Sequence, residues 1–114
     1  MFDGQPKETI VYTTNEGAEP FAEWLRGLRD AEGRKRIRVR LARLTAQGHP
    51  GDYKTVGQGV YELRVDAGPG YRLYCAFAGA QIVLLLCGGD KSSQMRDIER
   101  AHEFWRDYQR RNPA

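Results

Sequence analysis

Cysteine is scarce: Cys75 and Cys87 are the only two in 114 residues, and both sit inside apolar runs rather than at metal-ligand spacing. That argues against a disulfide framework or a cysteine zinc site, and two buried, reduced thiols in a cytoplasmic protein are expected. Histidine is equally sparse. His49 lies in a Gly/Pro turn, His102 falls on the inner side of a C-terminal helical pattern, and no Cys/His/Asp set has metal spacing, so neither metal nor cofactor is expected. There is no GxSxG elbow, no HExxH helix and no GxxxxGK[ST] loop, which disfavours serine hydrolase, zinc protease and P-loop chemistry. The longest apolar run, Ile82 to Cys87, is far too short to cross a bilayer, and the opening MFDGQPKETI lacks a basic region followed by an apolar stretch. Membrane insertion and export are therefore not expected. Repeats and low-complexity segments are also missing.

What is there suits one folded domain over residues 1–114, with a core from about residue 8 to 105. Apolar residues make up 40% and aromatics 11%, enough for a chain this size to hide about two thirds of its unfolded surface. The net charge is only +3, from 18 Lys and Arg against 15 Asp and Glu, but its distribution is uneven. Arg34, Lys35, Arg36, Arg38, Arg40 and Arg43 fall within ten positions that contain no acid. Such a run is either a solvated helix face or a patch for an anionic partner.

Residues 8–14 (ETIVYTT) are short and β-branched, and Asn15-Glu16-Gly17 closes them as a first strand. Pro20 suits the first position of a helix that carries Phe21, Trp24, Leu25 and Leu28 on one stripe. After Asp30 to Gly33 a second helix places Ile37, Leu41 and Leu44 on one side and the arginines on the others, ending near Gly48 and Pro50. From Tyr53 the period changes to two. Tyr61, Leu63 and Val65 alternate with Glu62, Arg64 and Asp66, and Tyr71, Leu73, Cys75 and Phe77 alternate with Arg72, Tyr74 and Ala76. Ala67-Gly68-Pro69-Gly70 joins these half-buried strands, and a hairpin centred on Gly68 sets Arg64 opposite Arg72. Gln81 to Cys87 reads as a central strand covered on both sides, breaking at Gly88-Gly89. Residues 92 to about 110 are helical, with Met95, Ile98, Ala101, Trp105 and Tyr108 inward and Ser92 or Ser93 as cap. The fold class is α+β: a curved antiparallel sheet of four to five strands with helices on one side, namely an N-terminal helical hairpin and a C-terminal helix.

Two arginines side by side on paired strands repel, so they are offset either by acids such as Glu62 and Asp66 or by an anionic ligand. The first alternative is a surface ladder and the second a phosphate site. Gly88-Gly89-Asp90-Lys91-Ser92-Ser93-Gln94, which follows the central strand, either makes a turn or offers helix N–H groups to an anion.

Tyr61-Glu62-Leu63-Arg64, Gly68-Pro69-Gly70-Tyr71-Arg72-Leu73-Tyr74 and Leu84-Leu85-Leu86-Cys87-Gly88-Gly89-Asp90-Lys91-Ser92-Ser93-Gln94, followed by Asp97-Ile98, resemble the addiction-module killer branch of RelE/HigB toxins. The likeness runs from about residue 8 to Trp105 and includes Phe21 and Trp24. It implies the RelE-like fold and a toxin of a type II toxin–antitoxin module. Such toxins are ribosome-dependent mRNA endonucleases that act without metal and inhibit translation. By position, Arg72 takes the place of the family's transition-state arginine, Arg64 a place where relatives carry lysine or arginine, and Lys91 that of the basic residue after the last strand. Lys54, Tyr74, Arg36, Arg40 and Arg43 are the implied RNA contacts, with Tyr74 stacking on a base, and the arginine-rich second helix serves ribosomal RNA, the antitoxin or both. Where several relatives use a late tyrosine or histidine this chain has Arg96 to Ile98, so the acid and base stay unassigned, with Glu62 a substitute base. The implied partners are a helix-turn-helix antitoxin of HigA type, the ribosome and mRNA. A ParE-like gyrase inhibitor of the same fold and a non-cleaving, antitoxin-binding remnant are the alternatives.

Overall fold

The computed structural model describes residues 1–113. Strand β1 (Glu8–Val11) leads into helices α1 (Pro20–Gly27) and α2 (Ala31–Gln47). Strands β2 (Tyr53–Thr55), β3 (Tyr61–Val65), β4 (Tyr71–Gly79) and β5 (Ile82–Asp90) follow, and a 3-10 turn at Lys91–Ser93 opens helix α3 (Gln94–Arg111). One five-stranded sheet has the order β1-β5-β4-β3-β2. The α+β class and the antiparallel meander from β2 to β5 are as the alternation predicts. Register shifts in the β4–β5 ladder, between Tyr74 and Cys75 and between Phe77 and Gly79, mark bulges of the kind that bend a strand pair.

Local chemistry sets the helix ends. Pro20 occupies the first turn of α1. The Asp30 side chain accepts from the Gly33 N–H to cap α2, and Gly48, in the left-handed region at φ 71°, ends it. The Asp30 carboxylate also accepts from the Tyr71 hydroxyl at 2.7 Å, tying the α1–α2 corner to β4.

Four expectations need correction. The helices lie on both faces: α1 and α2 cover Leu63, Val65, Leu73, Cys75 and Val83, while α3 covers Tyr74, Ala76, Leu84, Leu86 and Cys87. The polar-looking face of β3 and β4 is thus largely buried. Next, β1 pairs with β5 in parallel, so the sheet is not wholly antiparallel. β1 stops at Val11 because Thr14 turns the chain, its Oγ1 and carbonyl accepting from Ala18 and Gly17. Third, Gly88 and Gly89 do not break β5 but continue it. A Cβ on Gly88 would meet the Trp24 ring (Cζ3 at 2.5 Å), and one on Gly89 would overlap the Asp97 carboxylate, so these glycines let α1 and α3 approach the strand closely. Finally, Met95 is 84% exposed rather than inward, whereas Ala101 is buried. Among the described residues no helix is long and apolar enough to cross a membrane.

Candidate phosphate-binding cleft

The turn between β3 and β4 uses left-handed backbone at Gly68 and Gly70, with the Gly70 N–H donating to Ala67 O at 2.9 Å. It fixes a register in which Arg64 stands opposite Arg72, and the next partner across the sheet is Gly89. The Lys91 N–H donates to Gly70 O at 2.9 Å, which holds the residue after β5 against the same turn. Arg64, Arg72 and Lys91 therefore line one cleft of about 360 Å³, together with Asp52, Asp66, Gly68, Pro69 and Gly70. Three cations against two carboxylates leave an excess of positive charge there.

The two arginines are held differently. Arg64 Nη2 donates to Asp52 Oδ1 at 3.0 Å in a solvent-exposed pair, the kind worth about 0–1 kcal/mol and readily exchanged for another anion. The Arg72 side chain is only 14% exposed: its Nε lies 3.7 Å from Glu62 Oε1 and its Nη1 donates to Tyr71 O at 3.3 Å. Lys91 is exposed. Asp90, which would oppose a phosphate, accepts from the N–H and Oγ of Ser92, and those bonds chiefly lower its carboxyl pKa. Its charge is thus engaged in capping the 3-10 turn.

Beneath Arg72, the Glu62 carboxylate is fully buried and accepts from Tyr74 Oη at 3.2 Å and Gln94 Nε2 at 2.7 Å. Burial, then the Glu62 charge, pushes the Tyr74 phenol well above its ordinary pKa. Tyr74 is 0% exposed under α3 and has no face for a base, so the expected stacking role is withdrawn. Glu62 likewise has no path to a 2′-OH and is no substitute base.

The remaining expected RNA contacts lie outside the cleft. Arg36, Arg40 and Arg43 line, with Glu32, Lys35 and Val39, a groove of about 330 Å³ between α2 and Val65–Asp66. Asp66 borders both depressions. Arg36 donates to Asp66 O at 3.1 Å and Arg40 to Pro50 O at 3.2 Å. Lys54 is exposed on the edge strand β2, in register with Glu62. His49 is exposed and His102 Nε2 meets Val56 O at 2.9 Å, apart from the cleft. Among the described residues no group of three His, Cys, Asp or Glu side chains is placed to hold a metal. Sequence reasoning gave no role to Asp52 or Gln94. Asp52 is set beside Arg64 by a backbone bond from Arg64 N at 2.8 Å, a pairing without a sequence signal. Gln94 lies in the segment quoted above, but its contact with Glu62 depends on where α3 packs.

The family model described as "Phage derived protein Gp49-like (DUF891)" matches residues 23–104, a span that contains every residue lining the cleft. A Haemophilus influenzae protein, printed as "Uncharacterized protein", is 44% identical over 81 residues, covering 71% of this chain and 81% of the relative.

Proposed function

Because the chain belongs to the phage-derived Gp49-like family, we propose that it is the toxin of a toxin–antitoxin module and an RNA endonuclease of RelE/HigB type. The observation that carries this reading is the convergence of Arg64, Arg72 and Lys91 on one open cleft. Cleavage needs no group beyond the RNA itself as nucleophile. The ribose 2′-oxygen forms a bond to the adjacent phosphorus, its proton passes to a base, and the bond from phosphorus to the 5′-oxygen breaks. The leaving oxygen takes a proton, giving a cyclic 2′,3′-phosphate and a 5′-hydroxyl. Arg72 and Arg64 neutralise the charge that builds on the phosphorane oxygens. Lys91, the exposed cation at the rim, donates to the leaving oxygen.

The groove along α2 extends the positive surface beyond the cleft at its Asp66 border, and Arg36, Arg40 and Arg43 hold the RNA backbone that leaves the cleft there. A helix-turn-helix antitoxin of HigA type silences the toxin, and translating ribosomes in the cytoplasm present its mRNA target. Induced expression in a host lacking the antitoxin arrests growth, and primer extension on mRNA from a translating extract maps new 5′ ends. Arg72→Ala, compared at equal folded concentration, loses about 2 to 4 kcal/mol of transition-state stabilisation, roughly 30- to 900-fold in rate. Intact cleavage by this variant refutes the reading. Inhibition of gyrase supercoiling without RNA cleavage supports a ParE-like toxin instead.

A further inference from the structure

We infer that Glu62 is a positioning residue, fixing the Arg72 guanidinium from below so that its outer edge faces the phosphate in the cleft. The inference rests on the endonuclease reading and deepens it. Three elements converge on this one carboxylate: Glu62 itself from β3, Tyr74 and Arg72 from β4, and Gln94 from the start of α3. Tyr74 and Gln94 both donate to Oε2, which leaves Oε1 directed at Arg72 Nε across 3.7 Å. Glu62 Oε1 and Arg72 Nε are both buried, and neither has a hydrogen-bond partner among the described residues.

A fully buried carboxylate on a strand flanked on both sides is costly, and an apolar side chain would serve packing better. What a carboxylate adds there is direction. The guanidinium is a planar fork whose donors point along fixed lines. With Nε drawn toward Glu62 and Nη1 on the Tyr71 carbonyl, Nη2 is left to serve the cleft. Glu62 itself, at 0% exposure, touches no RNA and acts only through Arg72. Arg64, paired with Asp52 at the surface, has no such support from beneath.

The test compares wild type, Glu62→Gln, Arg72→Ala and the double variant in single-turnover cleavage by programmed ribosomes. It adds the Arg72 Nε–H signal in the NMR spectrum of the free protein. Glu62→Gln keeps the shape and an acceptor but removes the charge. Its cleavage rate constant is expected to fall about 10- to 100-fold, as a misplaced group does, while apparent affinity for ribosomes is unchanged. The double variant is expected to cleave no more slowly than Arg72→Ala. In wild type the Arg72 Nε–H exchanges slowly with water, and in Glu62→Gln it moves toward the position of exposed arginines. Wild-type cleavage by Glu62→Gln beside a failing Arg72→Ala overturns the positioning role and leaves the endonuclease reading standing. A further loss in the double variant beyond Arg72→Ala, or an Arg72 Nε–H exchanging as fast as that of exposed Arg38, also overturns it. Full cleavage by Arg72→Ala removes both reading and role. Should Glu62→Gln not fold, the wild-type NMR signal and Gln94→Ala, which removes one of the two donors to the carboxylate, decide by the same criteria.

Discussion

Removing Arg72 alone strands a charge. At 3.7 Å and an effective dielectric constant near 20, the attraction between Arg72 Nε and Glu62 Oε1 is about 4 kcal/mol. Loss of one partner of a buried pair typically costs about 3 to 5 kcal/mol, because the survivor keeps its desolvation penalty. Glu62 is fully buried and retains only the neutral donors Tyr74 and Gln94. Arg72→Ala is therefore expected to lose about 3 to 4 kcal/mol in urea unfolding followed by far-UV circular dichroism. At about 4 °C per kcal/mol for a chain this long, Tm falls by roughly 12 to 16 °C. Glu62→Gln costs about 1 kcal/mol, since Arg72 is partly exposed and turns toward water. The double variant regains most of the loss, so the two substitutions are coupled by about 2 to 3 kcal/mol. Additive losses, or an Arg72→Ala cost under about 1 kcal/mol, would refute the burial argument.

Gly88→Ala drives a methyl into the Trp24 indole and is expected to cost about 1 to 3 kcal/mol; a change within about 0.5 kcal/mol in the same unfolding assay contradicts the close approach. Cys75 and Cys87, whose thiols burial pushes up to about 12, resist an aromatic disulfide reagent in the native state and react on unfolding. Between about pH 9 and 12 the unfolded chain releases thiol protons that the folded one retains, so stability falls as pH rises through that window; the fall is expected to be shallower with both cysteines changed to alanine, where the raised Tyr71 and Tyr74 phenols still contribute, and equal slopes refute the effect. Arg36→Ala and Arg43→Ala each lower the slope of log affinity against log salt for a single-stranded RNA by about 0.7, and an unchanged slope removes that side chain from the RNA path.

The hairpin was legible because its information is local: Gly68 and Gly70 dictate the turn, the turn dictates the register, and the register places Arg64 beside Arg72. The ends of α1 and α2 were legible for the same reason, through Pro20, Asp30 and Gly48. What depended on packing between distant segments was not. An uninterrupted apolar strand such as β5 demands cover on both faces, yet Glu62 and Arg64 made the second face of the sheet look wet; only the placement of α3 shows that Glu62 is covered and the Arg72 tip is not. Tyr74 was misassigned by the same error, since alternation gives its side of the sheet but not what lies over it. Gly88-Gly89 carried a familiar turn signature, and its true cause, the nearness of Trp24 and Asp97, belongs to residues far away or on another element.

The parallel pairing of β1 with β5 bears on how a growing chain acquires its shape. Glu8 meets Ile82, 74 positions further on (82 − 8), whereas β3, β4 and β5 zip as successive neighbours. Contacts so remote in sequence slow folding, since a long segment must be made and ordered before they reward it. β1 is made before β5 and must wait for it before the two can pair. The arginine-lined hollow, whose walls all come from residues 52–91, can take form while that strand still waits.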